Sequence, residues 1–238
     1  MNPGARSPDP TSDGATGAGR PALLFDMDGV ILTGRGNDSV VHDRALADTL
    51  TDYGLTVPKP QRTALSGYEY TETFVDGCHT LGVDPEPFYT AREVHSARRI
   101  ADRIKAGVRG MAPDADALAR LADEYELALV SNNYNRVVET VVDHHELDVF
   151  AVIRGREPGV TGFQRRKPDP YYLHETLDRL NAGTGLYVGD RETDLLAANR
   201  AGLDGVFLRR EHNAEVRLET EPAAVIDSLT EIETLLDA

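Results

Sequence analysis

The feature that most constrains the fold is a short apolar segment that ends in two carboxylates. Ala22 to Phe25 are apolar in succession, and Asp26 and Asp28 follow with one residue between them. A segment that is apolar on both faces is typical of a buried parallel strand. Ligands of open α/β sheets bind beyond the carboxyl ends of the strands, so both aspartates are expected at the mouth of a site. The alternative is a simple Asx-type turn, and this segment alone leaves both interpretations open.

After residue 108 the pattern alternates between strands and helices. We predict strands at 127–130, 149–153, 186–188, 205–208 and 224–226, and helices at 113–125, 136–145, 170–180 and 193–201. This alternation favours an α/β fold with a doubly wound, Rossmann-like, mostly parallel sheet.

Between the first strand and the alternating region the periodicity is helical. Helices are predicted from Asp38 or Ser39 to Tyr53, at 69–81 and at 85–105. The prediction is therefore an α/β core at 21–37 and 108–238, with an inserted all-helical cap domain at 38–107. Residues 1–20 are rich in Pro, Gly, Ser, Asp and Ala and are expected to form a disordered extension.

The charge of the chain limits its partners. Forty acidic residues against 25 basic ones give a formal net charge of −15, which repels nucleic acid and anionic membranes. A site for a phosphorylated molecule therefore needs local positive charge or a metal ion. All basic residues except Lys59, Lys105 and Lys167 are arginines, and this lysine-poor, acidic composition favours a halophilic protein over the alternative, an ordinary acidic cytosolic protein.

The cysteine count and the hydropathy exclude several further classes of protein. Cys78 is the single cysteine, which excludes an internal disulfide and a multi-cysteine zinc site. No run approaches the roughly 20 apolar residues of a membrane helix, and the N-terminus has no secretory apolar stretch. We expect a cytoplasmic protein, a monomer or homodimer, with neither nucleic acid nor a membrane as a partner.

Four polar segments lie where predicted strands end or helices begin. They are Asp26-x-Asp28, Ser131-Asn132, Lys167-Pro168 and Gly189-Asp190-x-x-x-Asp194. Each has a structural alternative, since Ser, Asn and Asp also cap helices and lysine is usually solvated. Arg165 and Arg166, beside Lys167, either raise the local positive potential or lie on the surface. The joint occurrence of the four segments in this order favours a common site.

These residue types suit phosphoryl transfer. A carboxylate can act as the nucleophile and form an aspartyl phosphate that water later hydrolyses. Several carboxylates in one small volume need a cation, and oxygen ligands point to Mg²⁺. Ser131 and the N–H groups of the following helix start can hold phosphate oxygens, while Lys167 supplies a positive charge.

The same segments resemble the motifs of the haloacid dehalogenase (HAD) superfamily of aspartyl-nucleophile phosphatases and mutases. The matching sequences are Phe-Asp-Met-Asp-Gly-Val at 25–30, Leu-Val-Ser-Asn at 129–132, Arg-Lys-Pro-Asp-Pro at 166–170 and Gly-Asp-Arg-Glu-Thr-Asp-Leu-Leu-Ala-Ala at 189–198. The helical insertion is similar to the mobile cap of the subfamily that contains phosphoglycolate phosphatase and β-phosphoglucomutase.

The resemblance implies a role for each residue. Asp26 would be the nucleophile and a metal ligand, and Asp28 the acid and base, with its backbone carbonyl on the metal. Lys167 would bridge Asp26 and the phosphate. Ser131 and Asn132 are implied to hold the phosphate, and Asp190 to ligate Mg²⁺, with Asp194 either ligating the ion or supporting a ligand.

The expected function is a Mg²⁺-dependent phosphomonoesterase of a small phosphorylated metabolite, of the phosphoglycolate or sugar-phosphate type. A phosphomutase of the β-phosphoglucomutase type is the main alternative, because the motifs do not separate the two. A 2-haloacid dehalogenase fits less well, since that reaction has no leaving oxygen for Asp28 to protonate. A non-catalytic metal-binding regulator has no supporting feature, because no motif residue is missing.

Overall fold

The computed structural model describes residues 21–34, 36 and 39–237. The predicted extension at 1–20 and the predicted cap residue Asp38 lie outside this range. The strands are β1 (Ala22–Phe25), β2 (Glu126–Tyr134), β3 (Phe150–Arg156), β4 (Gly185–Gly189), β5 (Asp204–Leu208) and β6 (Ala224–Ile226). The helices are α1 (Ser39–Asp52), α2 (Lys59–Leu65), α3 (Glu72–Thr80), α4 (Pro85–Lys105), α5 (Ala117–Glu124), α6 (Asn135–His144), α7 (Val160–Gln164), α8 (Tyr171–Leu180), α9 (Glu192–Ala201) and α10 (Glu231–Leu236), with a 3₁₀ turn at Glu211–Asn213.

The six strands form one parallel sheet in the order β3-β2-β1-β4-β5-β6. The chain therefore winds outward on one side of β1 and then on the other. Phe25, at the end of β1, lies beside Leu129 of β2 and Val188 of β4. The order reverses between β1 and β4, and this is where doubly wound sheets bind their ligands.

Both faces of β1 are buried, which confirms the predicted parallel strand. Leu23 and Phe25 face the apolar cluster that contains α5 and α6, whereas Ala22 and Leu24 face the cluster that contains α8 and α9. Side chains alternate between the two faces because the period of a strand is two residues. The doubly wound α/β core is confirmed.

Helices α1–α4 follow β1 and contain their own aromatic cluster, to which Phe74, Phe88 and Tyr89 belong. The last turns of α4 instead contact the sheet core, because Ile100 and Ile104 belong to the same cluster as Phe25. The helical insertion is therefore packed directly on the α/β core.

Some element boundaries differ from the predicted ones for local reasons. Helix α3 begins at Glu72 and not at 69, because the Thr71 side chain accepts the N–H of Phe74 and caps it. Helix α5 begins only at Ala117. The preceding Asp114 carboxylate accepts the N–H of Leu229 and pairs with Arg210, which holds the segment as a turn.

Three short helices, α2, α7 and α10, were not predicted; they have five to seven residues and few buried apolar positions. Strand β2 also extends four residues beyond the predicted end at 130. Tyr134 pairs with Arg156 after a register irregularity, which no alternation in the sequence indicates. Among the described residues, no helix is long and apolar enough to cross a membrane.

Candidate active site

Three carboxylates meet where the strand order reverses. Asp26 directly follows β1, Asp190 directly follows β4, and Asp194 lies in the first turn of α9. One oxygen atom of each lies within 4.8 Å of one atom of the other two, and all three residues are buried. The predicted convergence of Asp26, Asp190 and Asp194 is therefore seen.

Lys167 places its ammonium group among these carboxylates. Its Nζ lies 2.9 Å from Asp26 Oδ1 and 2.8 Å from Asp194 Oδ1, and it contacts the Tyr187 hydroxyl. Burial opposes the charge, but Asp194 and Asp26 together raise the pKa of Lys167 well above its usual value. Lys167 is thus a fixed cation at the centre of the site.

Asp194 is held by the backbone at the start of α9. Its Oδ2 accepts the N–H groups of Asp190 at 3.1 Å and of Arg191 at 3.0 Å. Gly189 is required by this approach, because a Cβ there would lie 2.2 Å from the Asp194 Cβ. Burial and the charge of Asp26 raise the pKa of Asp194 to about 6, although Lys167 acts in the opposite direction.

Asp190 is fixed from the segment that follows β5. Its Oδ2 lies 2.5 Å from Nε2 of His212, and its backbone carbonyl accepts the side-chain N–H of Asn213 at 2.9 Å. Gly29 packs against it with φ +88, and a Cβ at Gly29 would lie 2.2 Å from Asp190 Oδ2. Burial and the neighbouring Asp26 raise the pKa of the Asp190 carboxyl.

The three carboxylates fit a divalent cation. When all three carboxylates are ionised, their charges and that of the Lys167 ammonium sum to −2 in a buried volume, with His212 and Arg191 beside Asp190 at its edge. Oδ1 of Asp26 and Oδ1 of Asp190 are buried and accept no hydrogen bond of regular geometry from a described residue, although each lies near a cation, Lys167 at 2.9 Å and Arg191 at 3.5 Å. Both oxygens therefore have lone pairs left for a further cation, and an all-oxygen donor set suits Mg²⁺.

Asp28 lies beside this cluster and is oriented by two partners. One oxygen contacts the guanidinium of Arg109, and the other accepts the side-chain N–H of Asn133 at 3.0 Å. Arg109 also donates to the carbonyls of Thr33 and Gly34. Both partners of Asp28 therefore follow the helical insertion in the chain, and Arg109 is itself anchored to the segment that precedes the insertion.

The Ser131-Asn132 segment lies at the edge of the same site. Ser131 is buried, and its Oγ accepts the N–H of Asn133 at 3.2 Å. The amide of Asn132 is committed to the backbone of Lys167, accepting its N–H at 2.7 Å and donating to its carbonyl at 3.1 Å. Asn132 thus positions Lys167 in this structure, and a phosphate contact from Asn132 would come from its backbone N–H.

A cavity of about 610 Å³ opens in front of these residues. Its lining includes Asp28, Asn132 and Lys167 from the α/β core and His42 and Tyr68 from the helical insertion. Ligand sites in proteins are concave and of this size. A small molecule bound here would contact both the α/β core and the helical insertion.

Several residues of the site were not predicted, namely Arg109, Asn133, Tyr187, His212 and Asn213. Tyr187 lies within the apolar strand β4, and Asn133 lies in the part of β2 that continues beyond its apolar segment. Nothing in the local sequence indicates that either side chain belongs to the site. His212 and Arg109 reach the site from loops whose course depends on tertiary structure. The expectation that site residues follow the carboxyl ends of parallel strands identifies the carboxylates, but it does not identify the residues that hydrogen-bond to them.

Comparison with known proteins agrees with this arrangement. The profile of the haloacid dehalogenase-like hydrolase family matches residues 21–202. A phosphoglycolate phosphatase from Aliivibrio fischeri is 34% identical over 121 residues, which are 48% of this chain and 52% of that protein. The chain therefore spans about half the length of the curated relatives it matches.

Two solved structures show the same fold. CbbY from Rhodobacter sphaeroides in complex with phosphate has a TM-score of 0.58 and 20% identity, covering 90% of this chain and 96% of that one. A HAD phosphatase from Thermococcus onnurineus has a TM-score of 0.57 and 21% identity, covering 91% of this chain and 97% of the other. The fold, the four segments at one sheet edge and the family profile agree: the chain belongs to the haloacid dehalogenase-like hydrolase family.

Proposed function

We propose that the protein is a Mg²⁺-dependent phosphomonoesterase that acts on a small phosphorylated metabolite. The observation that carries the proposal is the buried group of Asp26, Asp190 and Asp194 around Lys167, in front of a cavity for a small molecule. The relatives named phosphoglycolate phosphatase support a substrate of the phosphoglycolate or sugar-phosphate type.

Asp26 and Asp190 would hold the metal ion, with the backbone carbonyl of Asp28 as a further oxygen ligand. Asp194 would ligate the ion or hold the loop that presents Asp190. When bound, Mg²⁺ neutralises carboxylate charge and polarises phosphate oxygens.

In the proposed reaction a carboxylate oxygen of Asp26 attacks phosphorus and forms an aspartyl phosphate. The bond from phosphorus to the ester oxygen breaks, and Asp28 gives its proton to that leaving oxygen. Asp28 then takes a proton from water, which attacks the phosphoenzyme and releases phosphate and free Asp26. Lys167 steadies the charge of Asp26 and of the phosphate, and Ser131 donates to a phosphate oxygen.

The helical insertion at 38–107 would act as a cap over this reaction. Its residues His42 and Tyr68 line the same cavity as Asp28 and Lys167, so a bound ester would contact both parts. Exclusion of bulk water favours attack by Asp26 over side reactions. We further propose that the protein works in the cytoplasm as a monomer or homodimer.

The decisive test is Asp26→Asn, assayed for phosphate release from p-nitrophenyl phosphate and 2-phosphoglycolate with Mg²⁺. We expect activity to fall to the level of the protein-free reaction, because an amide is a poor nucleophile and a weaker metal ligand. Asp178→Asn, which changes an exposed residue of α8, is the matched control and should keep full activity. An active Asp26→Asn protein would contradict the mechanism.

The products distinguish the mutase alternative. A phosphomutase would convert glucose 1-phosphate to glucose 6-phosphate, whereas a phosphatase would release inorganic phosphate. Turnover of chloroacetate without added metal would instead indicate a dehalogenase. We expect inorganic phosphate as the product.

A further inference from the structure

The cavity in front of the carboxylates contains an arginine that the phosphatase chemistry does not use. Arg166 precedes Lys167 in the chain and lines the same cavity. Its guanidinium lies 3.5 Å from the centre of the Phe163 ring and 5.2 Å from that of Tyr68. The planar group is therefore held between Phe163 of α7 and Tyr68 of the helical insertion.

Part of this guanidinium is buried without a partner. Nη1 of Arg166 is inaccessible to solvent and makes no hydrogen bond to any described residue. Its Nη2 lies 3.4 Å from Oε1 of Glu69, whose side chain is 55% exposed. An ion pair of that length with an exposed carboxylate contributes little. The guanidinium therefore lacks a strong acceptor among the described residues, and its Nη2 can exchange the exposed Glu69 carboxylate for an acidic group of a ligand.

The other cations of the cavity wall are already engaged. Arg156 forms a buried ion pair with Glu93, at 2.5 and 2.8 Å, and Lys167 is paired with Asp26 and Asp194. Arg191 lies 3.5 Å from Asp190. Arg166 is thus the arginine of this wall best placed to meet a further negative charge, in a protein whose net charge is −15.

We infer that Arg166 determines specificity by binding a second acidic group of the substrate, a carboxylate or a second phosphate. This inference rests on the proposed function. With the reacting phosphate against Asp26 and Lys167, the remainder of the ester would occupy the part of the cavity that Tyr68 and Arg166 line. The fork of an arginine suits both carboxylate and phosphate oxygens.

Its neighbour provides a matched control. Arg165 carries the same charge and is adjacent in sequence, but it stacks on Tyr171 at 3.9 Å and is not part of the cavity lining. Loss of Arg165 removes one positive charge from the same loop without removing a donor from the cavity. Any effect of general charge would therefore be shared by both variants.

The test compares three phosphomonoesters: 2-phosphoglycolate with a carboxylate, fructose 1,6-bisphosphate with a second phosphate, and ethyl phosphate with a neutral group. For Arg166→Gln we expect kcat/KM to fall by about ten- to a hundredfold on at least one acidic ester, mainly through KM, as for a lost charged hydrogen bond. Ethyl phosphate should change by less than about threefold, which also shows that Lys167 and the fold are intact. Arg166→Lys should recover part of the loss, and Arg165→Gln should behave as the unchanged protein.

The acidic ester for which kcat/KM falls more identifies the group that Arg166 binds, a carboxylate or a phosphate. Equal losses on all three esters would overturn the inference, since Arg166 would then only support the fold or Lys167. No loss on either acidic ester would overturn it as well, while hydrolysis of ethyl phosphate would leave the proposed function standing. A protein that hydrolyses none of the esters would contradict both.

Discussion

At the residue scale, the surroundings of Asp194 affect the protonation of its carboxyl group. Without a cation, burial and Asp26 raise the pKa of Asp194 to about 6, from an ordinary value of 3.8. The folded protein therefore binds this proton more tightly than the unfolded chain does. Protonation of Asp194 therefore adds to the free energy of unfolding. This addition is complete below about pH 4 and is lost as the pH rises through about 6.

Magnesium and protons should consequently compete for the site. We predict that Mg²⁺ raises the melting temperature more at pH 7 than at pH 5, relative to EDTA at the same pH, because at pH 5 the proton must first be displaced. Differential scanning fluorimetry at both pH values measures this. Asp190→Asn should reduce the Mg²⁺ effect at pH 7, and an equal effect of Mg²⁺ at both pH values would contradict the prediction.

Arg109 allows a second test at this scale, since it orients the proposed acid Asp28. We predict that Arg109→Gln lowers kcat/KM, which reports phosphoryl transfer to Asp26 and not the later hydrolysis, by about ten- to a hundredfold for ethyl phosphate, within the range of general acid catalysis. The loss should be much smaller for p-nitrophenyl phosphate, because its leaving group needs no proton. Lys105→Gln, at the exposed end of α4, is the control. Equal losses on both esters would mean that Arg109 does not act through Asp28.

The carboxylates could be predicted from the sequence because strand ends of a parallel sheet share one edge. The residues around them could not. Arg109 meets Asp28 across 81 positions and His212 meets Asp190 across 22, and nothing local in either segment marks those contacts. The sequence also could not show that the Asn132 amide is occupied by the backbone of Lys167.

At the scale of elements, one buried ion pair joins the helical insertion to the sheet. Glu93 of α4 is 2% exposed and binds Arg156 at the end of β3, and it also accepts the N–H of Gly159 at 2.7 Å and the hydroxyl of Tyr134 at 3.2 Å. A buried charge that loses its partner is strongly destabilising, because it stays desolvated.

We predict that Glu93→Gln lowers the free energy of unfolding by about 3 kcal/mol, measured by urea titration. Changing both partners, in Glu93→Gln with Arg156→Gln, should cost less than the sum of the single changes. The exposed pair of Arg120 and Glu233 is the control, and its loss should cost less than about 1 kcal/mol. Similar costs for the buried and exposed pairs would contradict this account of α4.

The existence of most elements was predictable from the sequence, whereas the lengths of several, among them α3, α5 and β2, were not. Helix α4 is where the sequence places it, because Pro85 begins it and its apolar spacing is regular over 21 residues. Short helices such as α7 depend on packing and not on periodicity. The continuation of β2 beyond Val130 depends on pairing with β3, which is a tertiary contact.

At the scale of the whole molecule the net charge of −15 governs behaviour in salt. Repulsion among acidic groups opposes the compact state, and dissolved salt screens it. We predict that the urea midpoint rises between about 0.1 M and about 2 M KCl, as the halophilic prediction requires. Changing the exposed Asp123, Glu124 and Glu126 to amides should reduce this dependence. A midpoint that is independent of KCl would contradict the halophilic prediction.

The central claim is that Asp26 becomes phosphorylated while Lys167 and the other carboxylates hold it in place. The most direct measurement is acid quenching of the protein during turnover of 2-phosphoglycolate with Mg²⁺, followed by borohydride reduction and peptide mass spectrometry. The account predicts that reduction converts Asp26, and no other aspartate, to homoserine. Steady hydrolysis with the modification at another residue, or with no modified residue in several early time points, would contradict it.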